Sequence, residues 1–145
     1  MNREIISRGK RLDNGQWLYG DLMHDNQGGY YIYPLDAENL YVENKVDPDT
    51  VGEFLGKKDK HGKKIFEGDI VRRRDSAFGY VDTGVVKYDC HLGAFVLEYE
   101  SYGRTYQSTF KDGFSDNDGK CTIEGTYSYE LIGNIYDNPE LLNKK

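Results

Sequence analysis

Turn signals rich in glycine recur along this chain, and they constrain its fold more than any other feature. The 17 glycines are spread across 145 residues, and between them stand short runs of Tyr, Val, Ile, Phe and Leu. In "AFVLEYE", Phe95, Leu97 and Tyr99 alternate with residues that include Glu98 and Glu100. A spacing of two puts each set on its own face of a strand. "YVDTGVVKYD", "RTYQSTF" and "SYELIGNIY" are further strand candidates, and "NGQWLYGDLMHDNQGGYYIYPL" reads as a hairpin turning at 26–29. "DNG" at 13–15 marks another turn. Short strands with such turns predict a mainly β protein, a small barrel or sandwich, and not a doubly wound sheet.

The middle of the chain needs closer reading. Pro48 biases Asp47 toward an extended backbone, and "TVGEFLG" is predicted to be a strand because Gly52 and Gly56 both oppose helix. In "DKHGKKIFEGDIVRRR", residues 59–74, Asp59 and Gly62 suit the first and last places of a type I turn. Gly68 interrupts Ile65, Phe66, Ile70 and Val71, which marks a bulge or a sharp bend. Asp69, beside it, is expected to bond backbone amides and pin that corner. At the end, "DNPELLNKK" predicts a short closing helix with Asn138 as N-cap and Pro139 at its first position.

A chain of this length fits one domain spanning 1–145, or two lobes at 1–55 and 56–145. It can bury roughly 70% of its unfolded surface without a metal or a disulfide. The 13 tyrosines and 6 phenylalanines, against one tryptophan, suit half-buried pleated surfaces. Cys90 and Cys121 are too few for a disulfide framework or a four-cysteine zinc site, and are expected to be small buried hydrophobes. "MNREIISRGKR" lacks the apolar core of a signal peptide, and no run has the length of a membrane span. A cytoplasmic protein with reduced thiols and no membrane partner is the expectation.

Three stretches resemble the YopX family of phage and prophage proteins: "RGKRLDNGQWLYGDL", "TVGEFLGKKDKHGKKIFEGDIV" and "ELIGNIYDNPELL". They cover both ends and the middle of the chain. One departure is His61, where the family usually has Asn; Asn tolerates left-handed backbone, so His61 is expected to loosen that turn without changing its type. The resemblance implies a β-rich fold with a small SH3-like barrel in the second lobe, additional strands at the N-terminus, and a bacterial host. It implies self-association and no established activity.

Charge is segregated. Residues 57–74 hold eight Lys or Arg against three acids, a balance of +5 within a chain of −6, so the remainder carries −11. Lys57, Lys58, Lys63, Lys64, Arg72, Arg73 and Arg74 are therefore candidate contacts for nucleic acid or another anion. On a strand, Arg72 and Arg74 point one way and Arg73 the other, so three consecutive arginines need not form one patch. The acidity of the rest of the chain also opposes long-range attraction of a polyanion. Tyr30, Tyr31 and Tyr33 are candidates for stacking bases.

Catalytic and metal patterns are weaker. Placing Gly119 of "DGFSDNDGK" at the sixth position of an EF-hand loop sets Asp116 and Asp118 correctly. It also puts Phe114 first and Gly125 last, with Glu124 one place short. His24, His61 and His91 show no helical zinc spacing, and Cys90 and His91, as strand neighbours, would face opposite sides. The Gly56–Gly62 interval is one residue too long for a phosphate-binding loop, and Lys63 is followed by Lys64. No catalytic residue, cofactor or metal site is expected. The leading expectation is a non-enzymatic accessory protein that contacts itself or a host or phage protein. A nucleic-acid-binding module using 57–74 is the alternative, and a hydrolase with an unidentified site is third.

Overall fold

The computed structural model describes residues 3–34, 44–75, 78–110 and 127–142. These residues form a mainly β structure in two compact units, Met1–Gly56 and Lys57–Lys145. The division falls inside a strand, Gly52–Lys58.

The first unit contains β1 (Ser7–Lys10), β2 (Trp17–His24), β3 (Tyr30–Pro34), β4 (Lys45–Val46) and most of β5 (Gly52–Lys58). Their order across the sheet is β4-β3-β2-β1-β5. The turns at 13–15 and 26–29 join β1 to β2 and β2 to β3, and Asp25 N–H closes the second by donating to Gly29 C=O at 2.9 Å. Pro48–Thr50 form one 3-10 turn before β5, with Asp47 extended (φ −70°, ψ 117°) and its side chain accepting from Asp49 N–H. Ile6, Ile32, Val46 and Phe54 make the core of this unit. Arg8, 4% exposed, lies over the Trp17 ring at 4.5 Å.

The second unit opens with the end of β5, turns at 59–62 into β6 (Lys64–Phe66), and continues through β7 (Asp69–Asp75), β8 (Val81–Asp89), β9 (Ala94–Ser101), β10 (Arg104–Thr109) and β11 (Tyr127–Asn134). Its main sheet is antiparallel, in the order β10-β9-β8-β7-β11. β7 to β10 form a meander, and β11 returns to pair with β7 through a bulge between Leu131 and Gly133. Ile70, Val71, Val86 and Val96 are fully buried. Each such side chain contributes about 1.5–3 kcal/mol on burial.

Of the bulge and the sharp bend expected at Gly68, the structure has the bend. Glu67 and Gly68 form a tight turn that ends β6 and starts β7 in a different sheet. Gly68 has φ +89°, a conformation that glycine adopts without the Cβ penalty. Its N–H donates to Val86 C=O and its C=O accepts from Ile135 N–H.

Two expectations are corrected. The closing helix is a single 3-10 turn, Pro139–Leu142, because four residues are too few to build a stable α-helix. Cys90 is exposed and sits with His91 in the turn between β8 and β9, not on a strand. Asp89 shapes that turn by accepting from the His91 and Leu92 amides. Cys121 and the acidic loop at 112–120 lie outside the described residues.

Candidate functional site

β7 distributes its residues as alternation requires, and this separates the three arginines. Arg72 and Arg74 are exposed, whereas Arg73 is 6% exposed on the opposite face. The face carrying Arg73 also presents Asp82 from β8, Tyr99 from β9, Tyr106 from β10 and Tyr127 from β11, as the strand register dictates.

Arg73 organises that face. Its Nη2 donates to Asp82 Oδ2 at 2.9 Å, and its Cζ lies 4.5 Å from the centroids of both Tyr99 and Tyr127. One ring comes from each side of β7, so the planar guanidinium is flanked by two π faces. Gly84, directly opposite Tyr99, has no side chain to stand between that ring and β7. Tyr106 extends the row, stacked on Tyr99 at 5.8 Å and 22°. Burial works against the charge of Arg73, but the bond to Asp82 and the contact with Tyr99 outweigh it, and the pKa is raised. Nε of Arg73 is buried with no hydrogen-bond partner.

Around this row the surface is concave. A cleft of about 640 Å³ is lined by Arg73, Tyr80, Tyr99, Tyr102, Tyr106 and Tyr127. Tyr102 is completely exposed and Tyr80 is 68% exposed. Tyr102 also holds a φ of +52° at the β9–β10 turn, an uncommon backbone state for a non-glycine residue. Asp75, Asp82 and Glu100 are the acids in the wall. This arrangement offers flat aromatic surface with acidic side chains beside it, which suits recognition of a ligand.

The other residues singled out in the sequence do not converge there. Asp59 is 6% exposed; Oδ1 accepts from His61 and Lys63 N–H at 2.9 Å, and Oδ2 accepts from Leu131 N–H at 3.0 Å. It shapes its own turn and clamps that turn to β11. Gly62 completes the turn with φ +82°, donating to Asp59 C=O at 3.0 Å. Asp69, 1% exposed, accepts from Phe66 N–H at 2.7 Å across the Gly68 turn.

The basic segment is partly neutralised. Glu130 of β11 lies 3.6 Å from Lys60 and 3.8 Å from Arg72. Lys58, Lys63 and Arg74 are exposed, and Lys57 and Lys64 are half-buried. Tyr30, Tyr31 and Tyr33 belong to β3 of the first unit and are half-buried, with the Tyr31 hydroxyl donating to Asp25 at 3.2 Å. Among the described residues, no group of three or more His, Cys, Asp and Glu side chains is placed to hold a metal ion. No helix among them is long and apolar enough to cross a membrane.

Sequence reasoning missed the cleft. It separated Arg73 from Arg72 and Arg74 but considered the tyrosines of β3, not those of the second unit. The alternation at Arg72–Arg74 gave the separation of the arginines; the pairing of β11 with β7, which brings Tyr127 to Arg73, left no signal.

Fold and cleft together define a sheet-built protein whose second unit carries a tyrosine-walled recess around a buried arginine. The pattern of the YopX protein family matches residues 8–143, and the chain belongs to that family. It is similar to protein EF1440 from Enterococcus faecalis, known from a crystal structure, over 97% of this chain and 99% of that one, at 19% identity and a TM-score of 0.48. No curated protein matches it.

Proposed function

We propose that this protein is a non-enzymatic accessory protein of phages or prophages, working in the bacterial cytoplasm by binding another protein. The partner is a second copy of the chain or a host or phage factor. The observation that carries this reading is the row Tyr106–Tyr99–Arg73–Tyr127 at the floor of an open cleft, with Tyr80 and Tyr102 exposed at its rim. Tyrosine and arginine are the residue types that dominate protein-binding hot spots. The phage setting and the tendency to self-associate rest on the resemblance described above. We also read the second unit as a small SH3-like barrel. Its four-strand meander, with a fifth strand returning to pair with the first, supports that reading.

The test compares the wild-type chain with Tyr102→Ala/Tyr106→Ala, two substitutions at exposed positions. Light scattering across micromolar concentrations reads self-association, and affinity capture from host cells with mass spectrometry reads other partners. The double variant is expected to lose the assembly or the captured partner. A wild-type chain that stays monomeric and retains the same proteins as the variant would end the proposal.

A second reading places nucleic acid on the segment 57–74, favoured by Arg72 and Arg74 projecting together from the exposed face of β7. Such binding would be electrostatic and would weaken steeply with salt. Arg72→Ala/Arg74→Ala is expected to abolish low-salt retention of a DNA duplex; no retention of DNA or RNA by the wild type at low salt removes this reading.

A further inference from the structure

We propose that the outer edge of β10 pairs with the same edge of a second copy of the chain, antiparallel about a two-fold axis through Gln107. This rests on the protein-binding reading above and specifies its partner and its surface.

An edge strand carries N–H and C=O groups with no ladder partner, and folds usually cover or blunt such edges. Among the described residues the edge strands are β4 and β6 of one sheet and β10 and β11 of the other. Three of these are dealt with. At β4, Lys45 C=O accepts from Leu12 N–H at 3.1 Å, and Asp47 N–H, just beyond it, donates to Lys10 C=O at 2.8 Å. β6 is three residues long, and its Phe66 N–H is taken by the Asp69 carboxylate at 2.7 Å. At β11, Tyr129 C=O accepts from Lys60 N–H at 2.9 Å, and Leu131 N–H donates to Asp59 Oδ2 at 3.0 Å. A bulge between Leu131 and Gly133 also bends that strand. β10 has none of these devices. It runs six residues, RTYQST, in unbroken register with β9. It holds no Pro or Lys, and Arg104 at its start is its one charge. Among the described residues, β9 alone forms backbone hydrogen bonds with it.

The hairpin decides which groups of β10 face outward. Tyr102 and Gly103, with φ +52° and +74°, form a two-residue turn of the primed kind, so Ser101 and Arg104 are a hydrogen-bonded pair. Antiparallel pairs alternate, and Thr105, Gln107 and Thr109 therefore turn N–H and C=O away from β9. All three residues are exposed. They are spaced symmetrically about Gln107, and that symmetry selects a copy of β10 as the occupant. A two-fold axis there sets Gln107 opposite the partner's Gln107 and Thr105 opposite the partner's Thr109. Every outward group then has a ladder partner, whereas a shift of two residues leaves some at the ends unmatched. Thr pairs are favourable across strands, and no like charges stand opposite each other, because Arg104 meets the partner's Phe110. Thr109 C=O also accepts from Ser108 Oγ at 3.1 Å and keeps a second lone pair for the ladder. An extended strand of another protein would use the same backbone groups, and the experiment separates the two.

The test compares the full wild-type chain with Gln107→Pro. Proline removes the outward N–H at the axis and no bond to β9, and edge positions of this kind tolerate it. Gln107→Lys is the second variant. It keeps a partner in Glu98, which accepts from Gln107 at 3.3 Å, and it sets like charges opposite each other across the axis. Circular dichroism confirms that each variant is folded. Light scattering is expected to show a wild-type dimer at micromolar concentrations, with its dissociation constant raised about tenfold or more by either substitution. Exchange of the Thr105, Gln107 and Thr109 amides, rapid in the dilute chain, is expected to slow as concentration rises. A monomeric wild type, or a dimer that a folded variant forms equally well, would overturn the proposal. So would a monomeric wild type that captures another protein in a manner lost in Gln107→Pro, which gives the edge to a foreign strand. If the proposal fails while Tyr102 and Tyr106 still govern assembly or capture of an identified protein, only this inference falls. If that dependence is also absent, the protein-binding reading falls with it.

Discussion

Three arginines in a row receive two different environments from one strand. Arg73 is enclosed by Tyr99, Tyr127 and Asp82, while Arg72 and Arg74 are exposed on the other face. Removing a partner from a buried charge is far more costly than removing an exposed charge. Asp82→Ala is therefore expected to destabilise the fold by about 3 kcal/mol, and Arg74→Ala by no more than about 0.5 kcal/mol. Chemical denaturation of the two variants checks the contrast; equal losses would mean that the Arg73–Asp82 pair is not a buried unit. Asp59 offers a second residue-level check. Burial pushes its pKa up, but the Leu131, Lys63 and His61 amides outweigh that and hold it below the usual carboxylate value. A carboxylate with a depressed folded pKa contributes fully above its unfolded value, about 3.9, and loses that contribution as pH falls through the folded value. Asp59→Ala should cost about 2 kcal/mol at pH 7, and less as the solution is acidified through that window. A cost independent of pH would show that the ionised form is not what the three amides bind.

At the scale of elements, glycine positions set where strands end and how closely they approach. Gly68 turns the chain from β6 into β7 at φ +89°, and a Cβ there would lie 3.0 Å from Tyr136 Cε2. Gly68→Ala is expected to cost about 1–2 kcal/mol. The sequence pattern marked this bend, because an apolar run broken by Glu-Gly-Asp cannot continue as one strand. Gly84 is different. It sits inside β8, and a Cβ would come within 2.5 Å of Glu98 C=O. Gly84→Val should both destabilise the fold and separate Tyr99 from Arg73, visible as a changed near-ultraviolet tyrosine signal. An unchanged signal in a folded variant would remove Gly84 from the account of the cleft. Nothing local distinguishes Gly84 from a turn glycine; its role depends on what β9 places opposite it.

Across the whole molecule, protection should follow the strand order. β7 and β8 are paired on both sides and hold Ile70, Val71 and Val86, whereas β10 lies at an edge. Hydrogen exchange is expected to be slowest in β7 and β8 and fastest in β10. Uniform exchange across the five strands would contradict that order.

The strands and turns were legible from sequence because their causes are local: alternation, β-branched and aromatic residues, and Gly, Asp and Asn at turns. The turn at Asp59–Gly62 and the bend at Gly68 have local causes of the same kind. Two local readings still went astray. Four residues after Asn138 make only a 3-10 turn, and Cys90 lies outside the strand that its neighbours suggested. The sequence by itself thus determined a sheet-built chain and the places where it turns. Tertiary structure alone decided which side of β7 would be enclosed, because Ile70 and Val71 are both buried and give β7 an apolar residue on each face. Only the return of β11 to β7 brings Tyr127 to Arg73, and pairing between strands so distant in the chain leaves no mark in the spacing of residues along it.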